Sequence, residues 1–112
     1  MQEGNVIRFA LQQHDGRIVR RPAVLLKKNP PFNDWLICGI SKSTGLEVKG
    51  LDVLITQNDA DFKTWGLDFP GIIRTGFLTT ISIKYIEGAL GHIHPETHNK
   101  ILNNIVKFLS AY

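Results

Sequence analysis

A chain of 112 residues, 43% hydrophobic and 21% charged, has room for one core but not two, and residues 1–112 are expected to form a single globular domain. Its single cysteine excludes an internal disulfide framework and fits a reducing compartment; no apolar run reaches membrane-spanning length, and the opening MQEGNVIRF lacks the basic-then-apolar layout of a secretory leader, so a cytoplasmic location with no membrane partner is expected. A net charge of +3 permits a polyanionic partner without requiring one.

In chain order, residues 4–10 (GNVIRFA) are rich in β-branched and aromatic side chains and predict a first strand. Residues 11–19 read as a polar loop around the turn signal Asp15-Gly16 and carry His14 and Arg17. The stretch 16–27 organises the rest, with a second strand expected from about Arg21 to Lys27. Arg20-Arg21 precede Pro22 and a purely apolar run, Ala23 to Leu26, too short for a helix and bounded by charge. It predicts a buried strand with Pro22 in its first residues or on an edge, because proline donates no ladder hydrogen bond. Asn29-Pro30-Pro31 ends that strand. Residues 35–41 (WLICGIS) predict a third strand with an inert, buried Cys38, and residues 42–50 a hairpin loop or short strand pair. Residues 51–56 (LDVLIT) predict a fourth strand with Leu51, Val53 and Ile55 on one face. Residues 57–66 read as a loop or a single helical turn, and 67–70 as a turn.

Residues 71–80 (GIIRTGFLTT) predict a fifth strand in which Gly76 marks a bulge or a close backbone approach. Residues 81–85 continue it or bend away. Glu87-Gly88 read as a turn and 89–93 as a short last strand. Pro95 and Glu96 then open an amphipathic helix, with Ile101, Leu102, Ile105, Val106 and Leu109 on its apolar side and Asn103, Asn104 and Lys107 outward. Five to six short strands and one C-terminal helix make a mainly β protein, a small closed or half-closed barrel with the helix over one open face.

Two arginines carry the chemistry. Arg21 stands at the mouth of a core strand, where a planar, permanently charged guanidinium suits a phosphate; the alternative is that Arg20 and Arg21 are solvated flanks. Arg74 is directed by the pleat of the fifth strand, and if the two strands are neighbours both groups converge on one phosphate, with the Ser41 hydroxyl beside them. His14 offers an acid or base near neutral pH. His92, His94 and His98 form an HxHxxxH cluster that reads either as a metal site or as a surface group at the helix start. No serine-hydrolase elbow, phosphate loop, dinucleotide fingerprint or zinc pair is present. Phe32, Trp35 and Trp65 are candidate base stackers, with burial the alternative for the tryptophans.

These pieces resemble, in order, the PemK/MazF-type toxins of bacterial type II toxin–antitoxin systems. EGNVIRF is similar to the family's opening strand, RRPAVLL to its arginine-proline-hydrophobic strand, ICGIS to the strand ending in threonine or serine, GIIRTGFLTTI to its arginine-bearing strand, and LGHIHPETHNKILNNIVKFL to its closing segment and helix. The resemblance implies an SH3-like barrel with a C-terminal helix, a homodimer, and neutralisation by a cognate antitoxin protein. It implies cleavage of single-stranded RNA without metal or cofactor, by attack of the RNA 2′-hydroxyl on the adjacent phosphate. Carried over by position, Arg21, Arg74, Ser41 and, across a one-residue gap, His14 are the catalytic candidates, with Arg17, Arg20, Lys42 and Thr75 as RNA contacts. Gly76 stands where PemK-like members carry an aspartate, which leaves a base at His14, a base at Asp15, or a slow or inactive enzyme. The alternatives are a non-catalytic module on the same barrel, binding nucleic acid or protein, and a toxin directed at DNA gyrase.

Overall fold

The computed structural model describes residues 1–111. Six antiparallel strands form one sheet: β1 (Asn5–Gln12), β2 (Ile18–Asn29), β3 (Asp34–Ser41), β4 (Val53–Ile55), β5 (Gly71–Ser82) and β6 (Ile86–His92). The spatial order is β4-β5-β3-β2-β1-β6. Helix α1 (Pro95–Ser110) follows, with Pro95 in its first turn. Short 3₁₀ turns occupy Thr44–Leu46, Ala60–Lys63 and Ile83–Tyr85. Among the described residues no helix is long and apolar enough to cross a membrane.

The central strands are apolar without alternation because both faces of the sheet are covered. Val6, Val24, Leu26, Cys38 and Ile73 face one core with Trp65, Ile101 and Ile105, while Ile7, Phe9, Ala23, Leu25, Ile37 and Ile81 face a second with Trp35. The sheet curls into a half-barrel, and the 64–66 segment crosses its β6 edge. There His92 N–H donates to the Thr64 carbonyl at 2.8 Å. The approach requires glycine on both sides: a Cβ on Gly66 (φ +81°) would lie 2.1 Å from the Leu90 carbonyl oxygen, and one on Gly91 would lie 2.2 Å from that of Thr64.

Several expectations shift. The first two strands are longer than expected and form a hairpin, Gln12 opposite Ile18, so the loop shrinks to residues 13–17. Residues 42–50 hold a 3₁₀ turn in place of a strand pair. Glu87-Gly88 lie inside β6, where irregular register against β1 absorbs the extra residues. Asn104 points inward and donates from Nδ2 to the Leu51 carbonyl at 3.0 Å. The inward amide has a partner outside the helix, which the helical polarity pattern does not register. Trp35 and Trp65 are core residues, and Phe32 is exposed.

The helix start is secured from a distance. His94 is the N-cap residue but makes no capping bond through its side chain. Asp61 supplies the acceptor, taking the His94 N–H at 2.7 Å and the Thr97 hydroxyl, with the His94 ring Nδ1 at 2.8 Å. His98 Nε2 donates to the Leu26 carbonyl at 3.0 Å, where β2 bulges against β3. Two of the three clustered histidines are thus used structurally, and among the described residues no group of three metal-binding side chains converges.

Candidate active-site cleft

The cleft arises where two strands part. β2 and β3 are paired from Asn29↔Asp34 to Ala23↔Gly39 and no further. Beyond that point β2 stays on β1, with Arg21 opposite Phe9 and Pro22 opposite Arg8, while β3 stays on β5, with Ser41 opposite Ile72. Pro22 is therefore interior to β2 in sequence, yet it stands at a local edge whose β3 flank is open. The missing N–H leaves no ladder bond unmade there.

The fork opens a cleft of about 410 Å³ lined by Phe9, Leu11, Gln13, Arg21, Pro22, Gly39, Ile40, Ser41, Arg74 and Phe77. Three of the four catalytic candidates, Arg21, Ser41 and Arg74, are brought together on its wall. Among the described residues Arg21 makes no ion pair. Ser41 Oγ accepts the Ser43 N–H at 3.1 Å, which leaves its own proton free to donate. His14 stands next to the cleft in a shallow hollow with Leu11, Gln12 and Gln13, at the turn of the β1–β2 hairpin. Leu11 and Gln13 line both.

Arg74 is held by a residue that the sequence reading missed. Asp52, with a side chain only 1% exposed, accepts the Val48 N–H at 2.9 Å and lies 3.7 Å from Arg74 Nε. Leu51, its neighbour, is fixed through its carbonyl by both Thr75 and Asn104. Asp52 also acts on Cys38, whose thiol is pushed up to about 12, by burial first and then by the Asp52 charge. The thiol is buried, as expected from its apolar run.

The four expected RNA contacts fare differently. Arg17 is exposed at the hairpin turn, paired with Asp15 at 2.6 Å. Arg20, one residue before Arg21 and so on the opposite face of β2, pairs with Glu87 at 2.8 Å. Lys42 lies over the Phe69 ring, 4.5 Å from its centroid. Thr75 is buried and its hydroxyl donates to the Leu51 carbonyl, so its side chain is not presented to the cleft.

The bulge read from Gly76 is real and large. Cys38 pairs with Leu78 and the next β3 residue, Gly39, pairs with Arg74, so Thr75, Gly76 and Phe77 have no partner on β3. Thr75 turns inward, Gly76 is exposed, and Phe77 enters the cleft. A Cβ built on Gly76 meets only Leu51 Cδ2, at an ordinary 3.6 Å.

No family model matches the chain, and a search of curated proteins finds no match. Solved structures do match. A mycobacterial endoribonuclease in complex with its cognate antitoxin is similar over 100% of this chain and 97% of its own, with a TM-score of 0.73 at 16% identity. The Mycobacterium tuberculosis toxin MazF-mt6 is similar over 95% of this chain and 98% of its own, with a TM-score of 0.67 at 15% identity. A MazE-MazF structure from Deinococcus radiodurans covers 100% and 98%, with a TM-score of 0.73 at 13% identity. Over its whole length, this chain has the fold of the MazF toxins.

Proposed function

We propose that this protein is the toxin of a type II toxin–antitoxin pair, a metal-independent endoribonuclease of single-stranded RNA, with the β2/β3 fork as its active site. The observation that carries the reading is the convergence of Arg21, Ser41 and Arg74 on one open cleft. A fold shared with endoribonuclease toxins supports it.

In this mechanism the 2′-hydroxyl oxygen attacks the adjacent phosphorus, forming the 2′-O–P bond as the P–O5′ bond breaks. The hydroxyl proton passes to a base, and the departing 5′-oxygen takes one from solvent in the open cleft. The products are a 2′,3′-cyclic phosphate and a 5′-hydroxyl end. Negative charge builds on the non-bridging oxygens, where Arg21, Arg74 and the free Ser41 proton act. His14, on the hairpin turn beside the cleft, is the candidate base; its imidazole does not line the cleft and has to turn toward the bound RNA. Asp15 is less suited, since its carboxylate is engaged by Arg17. Arg17, at the hairpin turn, and Lys42, next to Ser41 in sequence, are further candidate RNA contacts. A second copy of the chain and an antitoxin protein are the expected partners, and action on messenger RNA sets the cytoplasm as its location.

A second reading has one observation in its favour. Among the described residues lining the cleft none is aspartate, glutamate or histidine, and Gly76 offers no carboxylate. A module that holds RNA without cutting it satisfies the same cations. Incubation of the purified protein with long single-stranded RNA in excess chelator separates the two. Fragments with 5′-hydroxyl ends, formed about 10²–10³-fold more slowly by Arg21→Ala, are the expected outcome. RNA retained intact on the protein supports the binding module and overturns the nuclease.

A further inference from the structure

Phe77 has no counterpart in the mechanism above, yet it is the most conspicuous side chain in the cleft. It is a large apolar residue left 48% exposed inside a site that also holds two arginines. Its position is built. The three-residue bulge of β5 carries it out of the ladder and over Gly39 of β3. A Cβ on Gly39 would lie 2.9 Å from Phe77 Cδ1 and 3.4 Å from Cε1, so the ring is seated directly on the Gly39 backbone and only glycine admits it there. Ring contact with backbone removes one side from water, and the remaining surface faces the cleft.

An aromatic surface in a cleft that also carries two guanidinium groups matches the chemistry of an unpaired nucleotide. Guanidinium groups take the phosphate, and a base stacks on a ring whose own position is fixed beforehand. A base paired in a duplex is already stacked on both sides and has no free face to offer. A polyanion without bases gains nothing from the ring. We infer that Phe77, seated on Gly39, is the platform on which a base next to the bound phosphate of single-stranded RNA stacks, and that it is the residue that selects unpaired RNA in this cleft. The assignment holds only if the cleft takes RNA, as proposed above.

Short, fluorescein-labelled 2′-O-methyl homopolymers of each base, which lack the attacking hydroxyl, test it by anisotropy titration. An abasic oligomer of equal length carries the same phosphates. Phe77→Ala is expected to weaken binding of the base-bearing oligomers by about five- to a hundred-fold, while Phe77→Trp retains it. Phe77→Leu, apolar but without a π-face, is expected to behave as alanine. The abasic oligomer is expected to bind all four proteins equally, and a thermal midpoint that stays close to that of the unaltered protein marks the effect as local. Gly39→Ala, which intrudes on the ring, is expected to weaken binding in the same base-dependent way. Equal affinity of Phe77→Ala and the unaltered protein, or full rescue by leucine, overturns the stacking role and leaves the nuclease reading standing. Absence of binding by the unaltered protein overturns both, and tight binding of an acidic peptide in its place makes the cleft a protein-docking site.

Discussion

Asp52 decides how Arg74 is presented. It is a buried carboxylate with one backbone donor, and the Arg74 guanidinium stands 3.7 Å away as its counter-charge. Removing Arg74 therefore does two things: it deletes a cation from the cleft and strands a buried charge. Arg74→Ala is expected to cost about 1–3 kcal/mol of stability, toward the lower end because Arg74 is partly in solvent and Val48 still donates. Chemical denaturation measures this, and Arg74→Ala combined with Asp52→Asn is expected to recover most of the loss. Stability unchanged in the single variant would mean that the pair is not formed. Gly76 raises the opposite case. Its backbone is not left-handed, and a side chain there meets ordinary contact only. Gly76→Asp is expected to fold with its midpoint nearly unchanged and to raise the cleavage rate, since it places a carboxylate on the bulge beside the cleft. A large fall in midpoint would show the bulge to be more crowded than described.

At the scale of elements, the helix start depends on a residue outside the helix. Burial alone raises the Asp61 carboxyl, but hydrogen bonds from Thr97 and from the His94 N–H, and the His94 ring, outweigh it and hold it below its ordinary value. A folded-state value below the unfolded one means stability that is full above the unfolded pKa and is lost as pH falls through the folded one. Asp61→Asn is accordingly expected to be less stable at neutral pH by about 0.5–2 kcal/mol, and to lose less than the unaltered protein on acidification. Thermal midpoints across pH test this; parallel curves would contradict it. The elements were legible where the signal is local. Pro95, Glu96 and the Ile101/Ile105 spacing identify α1, and the run 23–26 identifies β2. The Asp61 cap was not legible, because its donors lie more than thirty residues away. Asn104 was read outward since its partner, the Leu51 carbonyl, is no part of the helix pattern. Arg21, Ser41 and Arg74 stood out by type and strand position. Nothing local in the sequence marks Asp52 within LDVLIT or Phe77 within GIIRTGFLTT, because tertiary packing places the one and the β5 bulge the other.

For the whole molecule, function follows from a sheet that both closes and splits. Curling gives two cores, each covering one face of the central strands, and the parting of β2 from β3 leaves a cleft lined by both Arg21 and Arg74. The net charge of +3 permits a polyanionic partner, and the fork is the docking place proposed for it. If Arg21 and Arg74 each take a phosphate, as proposed, log K for single-stranded RNA falls with log salt at a slope of about −1.4, steeper if Arg17 and Lys42 join. A salt-independent affinity would exclude phosphate contact. The central claim, that the fork is a phosphate site, is tested most directly by the two neighbouring arginines of β2. They are consecutive, equal in charge and opposite in facing, Arg21 into the cleft and Arg20 onto Glu87. Single-turnover cleavage of RNA in chelator by Arg21→Ala and Arg20→Ala is the measurement. The account predicts a loss of about 10²–10³-fold for Arg21→Ala and less than about tenfold for Arg20→Ala. Equal losses, or undiminished cleavage by Arg21→Ala, would contradict it.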